Sequence, residues 1–223
     1  MKLTAIFFDA GNTLVFPDLN RTLAPLHARG IRPSDDQLLA AERIARRRRD
    51  DAAANGAVKL GDREYWEVYY DELLRNFGIT DAELRQSLVE EARRSANWEY
   101  VLPGTREALL TLKQRYQLGL ISNSDGHIDQ LFGRLALQDC FDTFVDSGRI
   151  GYEKPDARIF HAAVASLNVT PATSLYIGDI YSIDYLGAIG AGMQPMLFDR
   201  CGVYRESGLP SVQSLDELVA KLC

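Results

Sequence analysis

Leu3-Thr4-Ala5-Ile6-Phe7-Phe8-Asp9 decides the reading of this 223-residue chain. A short run of apolar, β-branched and aromatic residues ends at an acid. It does not alternate polar with apolar, so it predicts a strand buried on both faces, as in parallel sheets. Three later runs read the same way: Gln117–Ser122, Ser174–Asp179 and Met193–Asp199. Amphipathic helical stretches accompany them over Pro103–Arg115, His127–Leu137, Pro155–Leu167 and Ile183–Ala191. Strands alternating with helices predict βαβ units, a parallel sheet and right-handed crossovers.

Between Pro17 and Asn97 the alternation stops, and only helices are expected. Ser34 is placed to cap a helix running through Leu38 and Ile44 toward Ala54. A second helix carries Tyr65, Trp66, Val68, Tyr69, Leu73 and Leu74. Thr80 with Glu83 reads as a capping box ahead of Leu84, Leu88 and Val89. The expected architecture is therefore α/β: a Rossmann-like parallel-sheet core (1–16 and 98–223) with an inserted helical-bundle cap domain (17–97). Tyr65, Trp66, Tyr69 and Tyr70 fall at the spacing of a stripe facing the bundle interior. The run Arg46-Arg47-Arg48-Arg49 reads as a solvated helix, because residues 17–97 hold 14 Lys and Arg against 15 Asp and Glu.

Composition narrows the function. The chain is 46% hydrophobic and 25% charged, the profile of a folded globular protein. Its net charge of −6 argues against nucleic acid or an anionic membrane as a partner. Apolar runs fall far short of the ~18 residues of a membrane span. The opening residues lack a long apolar signal core. Cys140, Cys201 and Cys223 are an odd set without metal-ligand spacing. A cytoplasmic protein, monomer or homodimer, with a small-molecule partner is expected.

Ligands of open parallel sheets bind beyond the carboxyl ends of the strands. Asp9 ends the first run, Ser122 and Asn123 the second, and Gly178-Asp179 the run from Ser174. Asp184 follows five residues later, and Lys154 sits in the loop Gly151-Tyr152-Glu153-Lys154-Pro155 before a helix. Singly, each has an ordinary explanation as a turn or cap residue. Together they put a nucleophilic acid, a hydroxyl, a lysine and two more acids on one edge.

These segments resemble the four motifs of the haloacid dehalogenase (HAD) superfamily. They are Phe7-Phe8-Asp9-Ala10-Gly11-Asn12-Thr13-Leu14, Leu120-Ile121-Ser122-Asn123, Gly151-Tyr152-Glu153-Lys154-Pro155-Asp156, and Tyr176-Ile177-Gly178-Asp179 through Asp184. The resemblance spans the core and implies a hydrolase of phosphatase type, EC 3.1.3.-, with an all-helical cap. It implies Asp9 as nucleophile and Ser122 and Lys154 as catalytic partners. Phosphate would rest on Ser122, Lys154 and backbone N–H groups at Ala10 and Asn123. Mg²⁺ would be held by Asp9, the Gly11 carbonyl, Asp179 and Asp184. An aspartyl-phosphate would form on Asp9 and be hydrolysed.

One position departs from the pattern. Family phosphatases carry a second Asp two residues after the nucleophile as general acid and base; here that residue is Gly11. A lost general acid costs roughly 10²–10⁴-fold in rate. Asp18, in the flap after the strand, is read as a poor substitute. The leading expectation is a Mg²⁺-dependent hydrolase of small phosphorylated substrates, slow or limited to good leaving groups. The alternative is a phosphate- or nucleotide-binding regulatory protein that has lost turnover. A haloacid dehalogenase comes next; it needs no acid, but family dehalogenases lack the acidic fourth motif. Last is a phosphonate hydrolase, whose cap lysine would have to be Lys59.

Overall fold

The computed structural model describes residues 2–54 and 62–223; Lys59 lies outside them. The chain forms two compact units. One comprises the chain up to Phe16, Val101–Arg200 and Tyr204–Cys223; the other comprises Pro17–Tyr100 with Cys201–Val203.

The first unit is built on a six-stranded sheet: β1 (Ala5–Phe8), β2 (Gln117–Ser122), β3 (Thr143–Asp146), β4 (Ser174–Gly178), β5 (Gln194–Phe198) and β6 (Ser211–Val212). All neighbours pair in parallel, in the order β3-β2-β1-β4-β5-β6. This is the α/β, Rossmann-like architecture. The order reverses between β1 and β4, so a crevice opens at their carboxyl ends. Every residue of β1 is fully buried. Ile6 and Phe8 enter one hydrophobic cluster with Leu118, Leu120 and Ile177; Ala5 and Phe7 enter another with Ile121, Ile159, Phe160 and Tyr176. Alternate side chains of one strand thus feed two cores, which is why the run shows no polar period.

The second unit is helical: α1 (Leu19–Thr22), α2 (Ala24–His27), α3 (Asp35–Ala54), α4 (Asp62–Arg75) and α5 (Ala82–Ala92). Tyr65, Trp66, Tyr69, Tyr70, Leu73, Leu74, Leu84, Leu88 and Val89 share its core. Trp66 packs edge-on to Tyr65, Tyr69 and Trp98 with centroids 5.1–5.9 Å apart. At the start of α3, Ser34 Oγ accepts from Gln37 N–H and Gln37 Oε1 accepts from Ser34 N–H, closing a reciprocal cap.

Two expectations for this unit are corrected. The cap of α5 is Asp81, not Thr80: its carboxylate accepts from Leu84 N–H at 2.9 Å. Arg46 is not solvated. It is buried and paired with Glu42 one turn earlier at 2.6 Å. Successive helical positions point about 100° apart, so a four-residue basic run sends one member inward.

The remaining helices belong to the first unit: α6 (Thr105–Lys113), α7 (Ile128–Arg134), α8 (Ser147–Ile150), α9 (Ala157–Ser166), α10 (Leu186–Gly190) and α11 (Leu215–Leu222). Tyr181–Tyr185 forms a π-helical turn ahead of α10. Among the described residues, no helix is long and apolar enough to cross a membrane.

Candidate active site

Asp9 lies one residue beyond β1, and its N–H donates to Ile177 O of β4 at 2.8 Å. Asp179 lies one residue beyond β4, and the pairing of Phe8 with Ile177 sets it one position past the partner of Asp9. Asp184 returns from the π turn. Its main-chain N–H donates to Ile180 O, and its carboxylate Oδ2 accepts from Ile180 N–H at 3.0 Å. Carboxylate oxygens of Asp9, Asp179 and Asp184 lie within 4.8 Å of one another, and all three residues are buried. Gly178 makes the return possible. A Cβ there would sit 2.6 Å from Asp184 Cβ and overlap its carboxylate.

Lys154 enters the same cluster from the loop before α9. Its Nζ donates to Asp9 Oδ1 at 2.5 Å, to Asp184 Oδ1 at 2.7 Å and to the Tyr176 hydroxyl at 2.8 Å. Tyr176 is a partner that the sequence reading missed. Its only signal is a tyrosine in the middle of a doubly buried strand, where the hydroxyl must find company.

Three buried carboxyl groups crowd around one ammonium. The effect appears in both groups of the central pair. Burial pushes the Asp9 carboxyl up from 3.8 to about 7; Lys154 opposes this, and Asp184 and Asp179 add to it. Burial pulls on the Lys154 ammonium in the opposite sense. Asp184 and Asp9 outweigh it and hold the group above its ordinary value. A compact, oxygen-only, electron-rich cluster fits a small divalent cation such as Mg²⁺.

Ser122 ends β2 and is buried, two residues past Leu120, the register partner of Phe8. Asn123 is exposed at the main chain's turn, yet its side chain works. Oδ1 accepts from Lys154 N–H at 2.8 Å and Nδ2 donates to Lys154 O at 3.1 Å. The second motif therefore grips the backbone of the third. Ala10 is buried; its carbonyl accepts from Leu14 and Val15 N–H in the turn after β1. Gly11 bridges to Val15 in that turn. Asn12, not Gly11, takes the left-handed conformation at φ 53°.

The loop after Ser122 is fastened by a residue that sequence reading did not single out. Asp146, buried at the end of β3, accepts from Gly126 N–H at 3.0 Å, Gly148 N–H at 2.9 Å and Ile128 N–H at 3.1 Å. It thus supports the start of α7, while the exposed Asp125 carboxylate accepts from His127 N–H at 3.3 Å and lies 3.4 Å from His127 Nδ1. His127 itself is exposed. Asp18 belongs to the helical unit, where its carboxylate caps α1 through Asn20 N–H.

Comparison with known proteins adds four findings. A family model described as haloacid dehalogenase-like hydrolase matches residues 3–192. Haloacid dehalogenase-like hydrolase domain-containing protein 3 of Homo sapiens is 31% identical over 70% of this chain and 67% of its own length. Glyceraldehyde 3-phosphate phosphatase of Pyrococcus furiosus is 30% identical over 77% of this chain and 74% of its own. Among solved structures, the magnesium-bound structure of YfnB from Bacillus subtilis aligns with a TM-score of 0.62 at 19% identity, over 100% of this chain and 99% of that one.

Proposed function

The chain belongs to the haloacid dehalogenase-like hydrolases, and from that premise we propose a Mg²⁺-dependent phosphohydrolase for small phosphorylated substrates with good leaving groups. The buried cluster of Asp9, Asp179, Asp184 and Lys154 carries this reading. Relatives named as phosphatases support the reaction class.

Asp9, Asp179 and Asp184 would hold the ion, with the Gly11 carbonyl as a further oxygen. Bound there, Mg²⁺ would neutralise the phosphoryl oxygens and draw Asp9 into its ionised form. The Asp9 carboxylate attacks phosphorus, and the bond to the leaving oxygen breaks with its electron pair. Lys154, Ser122 and the N–H groups of Ala10 and Asn123 would steady the transferring oxygens. Water then attacks the aspartyl-phosphate at phosphorus. Asp9 is restored as carboxylate, and inorganic phosphate carries away the water's oxygen.

Gly11 sets the limit. With no acid two residues beyond Asp9, an alkoxide would leave unprotonated. Aryl and acyl phosphates release stable anions and escape that penalty. The same glycine favours a second reading, a phosphate-binding protein without turnover. One assay separates them: p-nitrophenyl phosphate, acetyl phosphate, a sugar phosphate and a haloacid, each with and without Mg²⁺. The expected result is Mg²⁺-dependent release from the first two, abolished in Asp9→Asn. Binding of inorganic phosphate without any hydrolysis would select the second reading. Halide release without metal would overturn both.

A further inference from the structure

We propose that Tyr176 is a positioning residue that holds the Lys154 ammonium in a single orientation against Asp9. The role of Lys154 in phosphoryl transfer rests on the reading above; the positioning of its ammonium does not.

An ammonium has three N–H donors and no acceptor. All three of those on Lys154 are taken: Asp9 Oδ1, Asp184 Oδ1 and the Tyr176 hydroxyl, at 2.5, 2.7 and 2.8 Å. The Tyr176 hydroxyl in turn donates its O–H to Asp184 Oδ1 at 2.9 Å. Lys154, Tyr176 and Asp184 therefore close a three-membered ring of hydrogen bonds, with Asp9 attached through the lysine. Every member is buried.

Tyr176 is itself fixed. Its backbone lies in β4 between β1 and β5. Its ring meets Phe160 of α9 edge-on, centroids 5.0 Å apart at 80°. Phe160 in turn packs so closely that a Cβ on Gly187 would lie 2.8 Å from its ring. The hydroxyl is thus aimed by two packed elements rather than by the lysine.

The neutral partner matters for the chemistry. When Asp9 carries the phosphoryl group its carboxyl loses its negative charge and holds Lys154 more weakly. Asp184 and Tyr176 remain, so one N–H can turn to a phosphoryl oxygen while the nitrogen stays in place. With phenylalanine at 176, one N–H of a buried ammonium loses its acceptor, and the lysine gains a second arrangement.

The first test needs no activity. In wild type with ¹⁵N-labelled lysine, an ammonium held by three acceptors gives a slowly exchanging ¹H–¹⁵N cross-peak at neutral pH. The chain has five lysines, and among the described residues Lys154 is the one that reaches this buried network. A wild-type spectrum without that peak overturns the proposal before any variant is made. In folded Tyr176→Phe the peak is expected to broaden or vanish; an unchanged peak also overturns it.

The second test is kinetic, with p-nitrophenyl phosphate and Mg²⁺. Tyr176→Phe is expected to lower kcat about tenfold while KM stays within about twofold. Added to Asp184→Ala, which removes the oxygen that both Lys154 and Tyr176 donate to and so breaks the ring, it is expected to cost less than about twofold more. Fully additive losses would mean general damage and would overturn the proposal. No turnover in wild type, with the lysine peak behaving as expected, would overturn the phosphatase reading and leave the positioning of Lys154 standing.

Discussion

The two units bury polar groups in opposite ways. In the α/β unit, Asp9, Lys154, Tyr176 and Asp184 come from four separate segments and join in one network. In the helical unit, the buried Arg46 pairs with Glu42 one turn earlier on its own helix, and the buried Glu72 pairs with Arg75 on its own helix and with Arg48 of the neighbouring α3. The other buried polar groups of this unit, Thr22 and Asn97, likewise bond to residues four to six positions away, and the rest of its core is aromatic and aliphatic. A helix satisfies its own backbone and can pair its own charges at i,i+4. A strand end cannot, so its polar side chains must find partners across the sheet. The first arrangement concentrates electrostatic energy where chemistry is done; the second spends it on stability.

If that contrast is right, substitutions in the two units should have separable consequences. The largest is expected at Gly11. It is not among the glycines with positive φ, so its conformation admits a side chain. Gly11→Asp should raise turnover of alkyl phosphates by roughly 10²-fold or more, with little gain on aryl phosphates. A variant no faster than wild type on both would break the account of the missing acid.

Next comes the helical core. Leu73→Ala deletes a fully buried side chain and should cost about 2–5 kcal/mol in urea unfolding. The lysine cross-peak should survive at temperatures where the protein stays folded. Its loss would show that the two regions are less separable than argued.

Gly178→Ala tests the α/β unit from within. The new Cβ would displace the Asp184 carboxylate. Mg²⁺ titration by calorimetry should show binding weakened about tenfold or more. Unchanged affinity would remove Asp184 from the ion's surroundings.

The pH dependence follows from Asp9. Without a divalent ion its folded-state pKa lies at about 7, above the ordinary 3.8. A raised carboxyl favours the folded state when protonated, so that contribution is complete below about pH 4 and is lost as pH rises through about 7. A bound cation requires the ionised form. The melting-temperature gain on adding Mg²⁺ should therefore be larger at about pH 8 than at about pH 6. A gain independent of pH would contradict the crowded-carboxylate picture. The smallest effect is Ser34→Ala, which removes one half of the α3 cap and should cost about 1 kcal/mol, with no change in Mg²⁺ binding.

Legibility differs between the regions for the same reason. The strand runs, the aromatic stripe and the Ser34 cap are local patterns, and sequence spacing displays them directly. Strand β3 escaped, because Thr143-Phe144-Val145-Asp146 is too short to show a period. With it went the three N–H bonds to Asp146 that fasten the loop after Ser122. The π turn escaped too; an amphipathic reading of Ile183–Ala191 makes no distinction between four- and five-residue hydrogen bonding. Arg46 was misplaced because a run of like charges hides which member faces inward.

By itself the sequence determined a parallel sheet with acids at its strand ends, a helical insertion, and the absence of an acid at position 11. Each of these is written in neighbouring residues and needs no partner to be recognised. Only the tertiary structure decided that Lys154 has all three protons engaged, and that a tyrosine supplies the third acceptor. Those contacts join residues 145, 30 and 22 positions apart, and hydrogen bonds of that span exist only once strands and loops have been brought into register.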